Sequence, residues 1–558
     1  MVRSAHRFTP AALSLICLIS VPPTLTAQDR TPDSTALAVQ KLFDGWVDST
    51  TPGCAIGVDR RGQSVYRGAF GMANLESRTP ITVNSVFQAA SIAKQVTAMA
   101  VMLLVRDGKL TLDDEVRKYI PELPNYGARI TIRHLLTHTS GLRDFFEMLI
   151  LARGRFEEDR ITEADMLDIV TRQKSLNFKP GDEFLYSNTG YALLPIIVHR
   201  ATGQSLRDFA AARIFAPLGM SSTQFRDDYT KLVPGRAEGY GRRDSEWRSS
   251  TPNYDVYGST NLFTTVGDLL TWSANLDHPR VGDSSIVRAM STSAVLNNGD
   301  STYYGFGLSI WNDGGTTVIE HEGGDPGYRS YLARYPDFGL AVAVLCNVPS
   351  NPVALGHRIA EIVLDTTFKP VRRANPATTN LSRVALARRA GVYFQPRTLE
   401  VVELTARDSS LYTRRQGGRK LLPIDENRFL VEGTTNEHDF GPSDQSGYTA
   451  RSLSRQLHPI TFERKKPAVV TPSSLRIFTG DYYSNELNSV YHVTATDSTL
   501  LLKTGSSNGL VARPVFEDTF VSGQITIQFV RRGNAVTGFE ISHPRARRLP
   551  FVRMDRPN

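Results

Sequence analysis

The sequence predicts an α/β (α+β) chain in which one antiparallel sheet carries a helical insertion and is followed by two small all-β barrels. Three observations predict it. Strand-like runs stand at both ends of a long helical stretch. After "FKPVRRANPATTN" the texture changes to short β-runs. Those β-runs contain an internal repeat.

The elements follow in chain order. Arg3 and Arg7 precede an apolar run from Pro10 to Pro22 and small residues up to Ala27. This is the layout of a secretory signal peptide, expected to be cut after Ala27, which makes the chain secreted or periplasmic. A membrane anchor is the alternative, but the run is short for a bilayer, and no later run is long enough to cross one. Ile16 before Cys17 argues against a lipoprotein site. "GCAIGVDRRGQSVYRGAFG" reads as two strands around a glycine turn. Helical patterns dominate from Ser85 to Asp277. Strands return with "TTVIEHEGG", "YRSYLARYPDFG" and "LAVAVLCNV", and "PVALGHRIAEIVLD" reads as a closing helix.

The repeat has a constant offset of 89 residues. It aligns "RRAGVYF" at Arg388–Phe394 with "IFTGDYY" at Ile477–Tyr483, Leu411 with Leu500, Phe440 with Phe529, and "FER" at Phe462 with "FVR" at Phe551. Two tandem antiparallel barrels joined by "KKPAVVTPSS" are expected. The resulting division is a signal peptide over 1–27, a catalytic domain over 28–370, and β-modules over 371–466 and 467–558.

The net charge is +8, and removal of Arg3 and Arg7 leaves +6. The basic residues form short, distant clusters, so a solvated surface is expected rather than a nucleic-acid site. After leader removal only Cys54 and Cys346 remain, in strand-like runs. Two buried thiols are the default reading, and a disulfide between neighbouring strands is the alternative.

Three elements carry chemistry. In "QAASIAKQVTAMAVMLLV", Ser91 lies three residues before Lys94, so on a helix both face one way. Ser91 in the first turn meets unpaired N–H groups, and Lys94 one turn in is desolvated, which favours its neutral, basic form. A serine beside such a base is a covalent nucleophile. S-x-x-K by itself is a weak signal. In "PGDEFLYSNTGYALL", Tyr186 can relay a proton, and Asn188 can hold a substrate amide and Lys94. In "VIEHEGGDPGYRS", Gly323 permits close backbone approach, and the Gly324 N–H can join that of Ser91 as an oxyanion hole.

These motifs, in this order, resemble the serine β-lactamase and penicillin-binding-protein superfamily. The closer likeness is to its class C-type branch, with its D-alanyl-D-alanine carboxypeptidases, D-aminopeptidases and esterases. "LLTHTSGL", "PGDEFLYSNTGY" and "LFTTVGDLLTW" extend the likeness, which covers roughly Leu37 to Asp365. It implies a β-lactamase/transpeptidase-like catalytic domain and lipocalin-like barrels. It implies Ser91 as acylated nucleophile, Lys94 and Tyr186 as the general-base pair, and Asn188, His321, Glu322 and Gly323 as substrate-binding residues. It also puts His134 and His138 of "HLLTH" in scaffold, so no metal and no cofactor is expected.

One departure bears on substrate. Where carboxylate-binding relatives have K-T-G, this chain has His321-Glu322-Gly323. A histidine is only partly cationic near neutrality, and Glu322 facing the pocket adds repulsion. Substrates without a carboxylate beside the scissile bond are therefore expected: esters, or peptides read from a free amino end that Glu322 pairs with. D-Aminopeptidases of this superfamily carry two β-barrels after the catalytic domain, one loop of which reaches the catalytic pocket; no such loop is identifiable from these residues. "YSN" at Tyr483–Asn485, "KTG" at Lys503–Gly505 and "GSSNG" at Gly505–Gly509 read as chance matches. The expected protein is a serine hydrolase acting on a small peptide, amide or ester, with no nucleic-acid partner and no anchor after signal cleavage. A non-hydrolytic penicillin-binding or ligand-sensing envelope protein is the alternative.

Overall fold

The computed structural model describes residues 34–46, 50–154, 159–313, 315–364, 378–414, 418–432, 434, 436–441, 447–452, 459–469, 471–505 and 507–554. The expected leader, Met1–Ala27, and the expected 370/371 boundary lie outside them. Six strands form the principal sheet: β1 (Cys54–Arg60), β2 (Gln63–Phe70), β3 (Ser309–Asp313), β4 (Thr316–Asp325), β5 (Tyr328–Tyr335) and β6 (Leu340–Cys346). Their order is β3-β4-β5-β6-β1-β2, and every pair is antiparallel. The late strand β6 lies beside the early strand β1, so the helices between β2 and β3 are an insertion into one sheet.

Both faces of the sheet are covered, which is why its central strands read as unbroken apolar runs. Ala55, Ala343 and Leu345 face the helical core, while Ile56, Val58, Val342 and Val344 alternate to the opposite core. Gly57 is needed on the first face: a Cβ there would come 2.7 Å from Leu270 Cδ1. The default reading of two free thiols is overturned. The β1–β6 register places Cys54 opposite Cys346, and the two form a disulfide. Register decides this, and register is a tertiary property.

Five helices matter here: α1 (Ala93–Arg106), α2 (Phe145–Arg153), α3 (Asn188–Thr202), α4 (Val266–Asp277) and α5 (Pro352–Leu364). Helix α1 is buried at every position from Ala93 to Leu104. Asp144 caps α2, accepting from the Phe146 and Glu147 N–H groups at 3.1 and 3.3 Å. Helix α3 starts directly after Ser187 and stops at Gly203, whose φ of 76° suits the left-handed C-terminal position.

Two closed eight-stranded antiparallel barrels follow, from Gly391–Gln395 to Ile460–Lys465 and from Gly480–Ser484 to Ala546–Arg553. The 89-residue offset extends to their hydrogen bonds. The Tyr393 hydroxyl donates to the Arg389 carbonyl, and Tyr482 to Phe478, both at 2.8 Å. Arg464 donates to the Ala390 carbonyl as Arg553 does to that of Thr479. No helix among the described residues is long and apolar enough to cross a membrane.

Candidate active site

Ser91 sits in a 3₁₀ turn, Ala90–Ile92, that leads straight into α1. Ala90 before it has φ 45°, a left-handed conformation that costs a non-glycine residue about 1 kcal/mol. The surrounding strand holds it there. The Ser330 hydroxyl donates to the Ala89 carbonyl at 2.7 Å, and Gly323 lies so close that a Cβ would sit 2.5 Å from that same oxygen. The missing side chain of Gly323 therefore admits the protein's own serine turn, a different use from the substrate approach expected of it.

Lys94 is fully buried, and its Nζ lies 3.0 Å from Ser91 Oγ. It also lies 2.9 Å from Asn188 Oδ1 and 2.6 Å from the Ser259 carbonyl oxygen. A neutral amine has two N–H bonds and one lone pair. The two oxygens that can only accept take the N–H groups, which leaves the lone pair for the Ser91 hydroxyl proton. Burial pushes Lys94 down to about 7; Asp144 and Asp325 pull the other way, and Arg545 adds to the lowering.

Asn188 is oriented from behind. Asp144 accepts from its backbone N–H at 2.6 Å and from its Nδ2 at 3.0 Å, which turns Oδ1 toward Lys94. Asp144 is wholly buried, so one carboxylate caps α2 and sets the first residue of α3. The Tyr186 hydroxyl is hydrogen-bonded to that of Ser91, and burial raises its pKa far above a phenol's usual value. Its ring lies over Lys94, 4.8 Å from Nζ to the centroid.

Strand β4 forms the facing wall. β3 pairs with it only as far as Glu320, so His321 to Asp325 present a free edge. His321 Nδ1 lies 2.6 Å from the Glu322 carbonyl oxygen and must donate to it, which leaves Nε2 to accept from the Tyr304 hydroxyl at 2.9 Å. Burial holds its pKa down to about 3, with Lys94 contributing. The expectation of a partly cationic histidine is thereby corrected: His321 is neutral across the working range, because it is buried and both ring nitrogens are engaged. Glu322 is also placed differently from the expectation. It alternates to the face opposite His321, near Glu320, and sits at the cavity rim.

The cavity holds about 1200 Å³. Ser91, Tyr186 and Asn188 line one wall, His321 to Asp325 the other, and Lys94 lies beneath. The second barrel completes it. Arg545, from the hairpin between Ala535–His543 and Ala546–Arg553, lines the cavity with its centre 6.0 Å from the Tyr186 ring. Its guanidinium pairs with Glu147 and lies 3.4 Å from Asp144, and its carbonyl accepts from the Asp144 N–H at 3.0 Å.

All the sequence-derived residues thus meet at one cavity. Sequence reasoning missed Asp144, the Ser259 carbonyl, Tyr304, Asp325 and Arg545. An acid directly before the apolar run "FFEMLILA" is a cap signal that marks Asp144. Nothing local marks Arg545, which is 398 residues from its partner Glu147. His134 serves as a cap, its Nδ1 accepting from the Thr131 N–H at 3.2 Å. His138 packs 4.3 Å from the Tyr186 ring. Of the chance matches, Tyr483 donates to Asn488 within the second barrel, away from the cavity.

Residues 39–366 match the protein family described as Beta-lactamase. The chain is 30% identical over 408 residues to penicillin-binding protein 4* of Bacillus subtilis, covering 68% of this chain and 88% of that one. It is 26% identical over 548 residues to a D-aminopeptidase of Cereibacter sphaeroides, covering 95% of this chain and 99% of that one. The octameric penicillin-binding protein homologue from Pyrococcus abyssi matches with a TM-score of 0.56 at 24% identity, over 77% of this chain and 100% of that one. This last likeness is one of fold.

Proposed function

The chain belongs to the beta-lactamase family and is a serine hydrolase; from that premise we propose that it acts through an acyl-enzyme on Ser91 and prefers D-aminoacyl amides or esters to β-lactams. The carrying observation is the buried Lys94 Nζ, 3.0 Å from Ser91 Oγ, with two acceptor-only oxygens to take its N–H groups.

Lys94 is the resting base of the pair, because burial lowers it to about 7 while raising Tyr186. As Ser91 Oγ bonds to the scissile carbonyl carbon, its proton passes to Lys94. Asn188 Oδ1 and the Ser259 carbonyl steady the new ammonium. The oxyanion forms between the Ser91 and Gly324 N–H groups. In a ladder closed by the Pro326–Gly327 turn, bonded and non-bonded pairs alternate, which turns the Gly324 N–H away from β5 to the free edge. Tyr186, protonated and bonded to Ser91, passes a proton to the leaving group. Lys94 returns its proton to Tyr186, so that water can attack the ester with Lys94 again taking the proton. Tyr186 then protonates Ser91 Oγ as it leaves and is reprotonated by Lys94.

The substrate preference rests on two supports. A neutral His321 stands where a lysine would meet a carboxylate, and the D-aminopeptidase relative matches nearly the whole chain. Export is part of the same reading. A disulfide persists in oxidising compartments, and the Met1–Ala27 segment has the layout of a leader.

One panel tests the function: a D-alanine anilide, a short-chain nitrophenyl ester and a chromogenic cephalosporin, with wild type and Ser91→Ala. The wild type should turn over the first two and process the cephalosporin slowest. Ser91→Ala should lose about a thousandfold or more. Turnover surviving in Ser91→Ala would place the nucleophile elsewhere, and stoichiometric acylation without turnover would make the chain a binding protein.

A further inference from the structure

One half-buried carboxylate in the cavity has no part in the acyl-transfer steps. Asp325 ends β4, one residue past Gly324, and lines the cavity. Its hydrogen bonds among the described residues fall on Oδ2, which accepts from Gln88 Nε2 at 2.9 Å and from the Thr260 hydroxyl. Gln88 is itself fully buried and tied at 3.1 Å to Asn261 Oδ1. The carboxylate is thus held rigidly on one side while Oδ1 takes none of these bonds. Arg329 lies close in the chain, but its Nη1 donates to the Asp325 and Tyr328 carbonyl oxygens. Lys94, the other basic group near it, is occupied by Ser91, Asn188 and Ser259.

We propose that Asp325 is the anchor for the α-ammonium of an aminoacyl substrate, so that the cavity selects a free amino end next to the scissile carbonyl. The inference rests on the reading of Ser91 and Gly324 as the acyl site. In an α-amino amide or ester the nitrogen and the carbonyl carbon share one Cα and lie about 2.5 Å apart. With the carbonyl oxygen at the Gly324 N–H, the ammonium falls beside the next residue of the strand, Asp325. Glu322 cannot take this part, since it alternates to the other face of β4. Burial raises Asp325 to about 6, which leaves it mainly anionic at neutral pH. An ammonium then supplies the countercharge that the free protein does not place on Oδ1.

The test compares D-alanine nitroanilide with its N-acetyl derivative on full-length wild type and Asp325→Asn. Wild type should favour the free amine, and the ratio of the two kcat/KM values should collapse by roughly 10- to 100-fold in Asp325→Asn, mostly through KM. Equal losses on both substrates would reduce Asp325 to a support for the Thr260–Ser259 segment and overturn the proposal. A ratio that collapses in Glu322→Gln instead would overturn it too. Binding keeps the question separate from catalysis. Ser91→Ala protein should bind D-phenylalanine amide at least about tenfold tighter than the N-acetyl amide, and the added Asp325→Asn change should erase that gap. Erasure with no wild-type turnover would refute the acyl-enzyme reading alone; an unchanged gap would refute the anchor alone.

Discussion

The two barrels share a fold, a strand order and several hydrogen bonds, yet among the described residues only the second lines the active site. The first keeps its own core, built on Leu386, Tyr393, Leu411, Phe440 and Phe462. The second merges its core, Tyr482, Tyr491, Phe529 and Phe551 among it, with that of the catalytic helices. Tyr491 and Ser489 donate to the Leu151 and Ala152 carbonyls at 2.6 and 3.0 Å, stitching it to α2. The difference lies in loops. Glu486 of the second barrel makes a buried pair with Arg143 at 2.7 Å, whereas the residue 89 earlier is Arg397, half-exposed and paired with Glu183. Arg545 corresponds to Gln456, a residue outside the described part. A duplicated scaffold acquires separate roles by changing a few loop residues while its core positions stay fixed.

The largest effect that sharpens this comparison is on stability. Glu486→Gln removes the countercharge of Arg143, whose side chain is 1% exposed, and should cost about 3 kcal/mol in denaturant unfolding. Arg397→Ala, measured in parallel, should cost less than about 0.5 kcal/mol, since its side chain is 51% exposed. Equal costs would erase the distinction between the barrels.

A smaller effect falls on activity. Arg545 lowers Lys94 and balances Asp144 and Glu147. Arg545→Ala should raise the lysine's pKa, move the acid limb of kcat/KM upward by about one unit, and leave roughly a fifth of the rate at pH 7. Arg545→Lys, which keeps the charge, should recover most of it. An unshifted limb in the alanine variant would make the second barrel a bystander to catalysis.

What was legible in the sequence follows from range. Ser91 and Lys94 could be paired because helix geometry fixes a three-residue spacing. The barrels could be read because Tyr393 and Tyr482, or Phe462 and Phe551, mark equal positions in two copies. The Cys54–Cys346 bond depended on the β1–β6 register, 292 residues across the chain. The neutrality of His321 depended on burial and on Tyr304, which no local pattern announces. Arg545 was hidden for the same reason: a hairpin of one domain meets a helix of another.

The central claim is that Lys94 acts as an unprotonated base, a form that its pKa of about 7 makes available at neutral pH. Its most direct test is the pH dependence of kcat/KM on an uncharged nitrophenyl ester, so that no substrate amine contributes to the profile. Because the amine acts unprotonated, activity should fall tenfold per unit as pH drops below about 7, in a single-proton limb. A rate constant that stays level down to pH 5 would contradict the account.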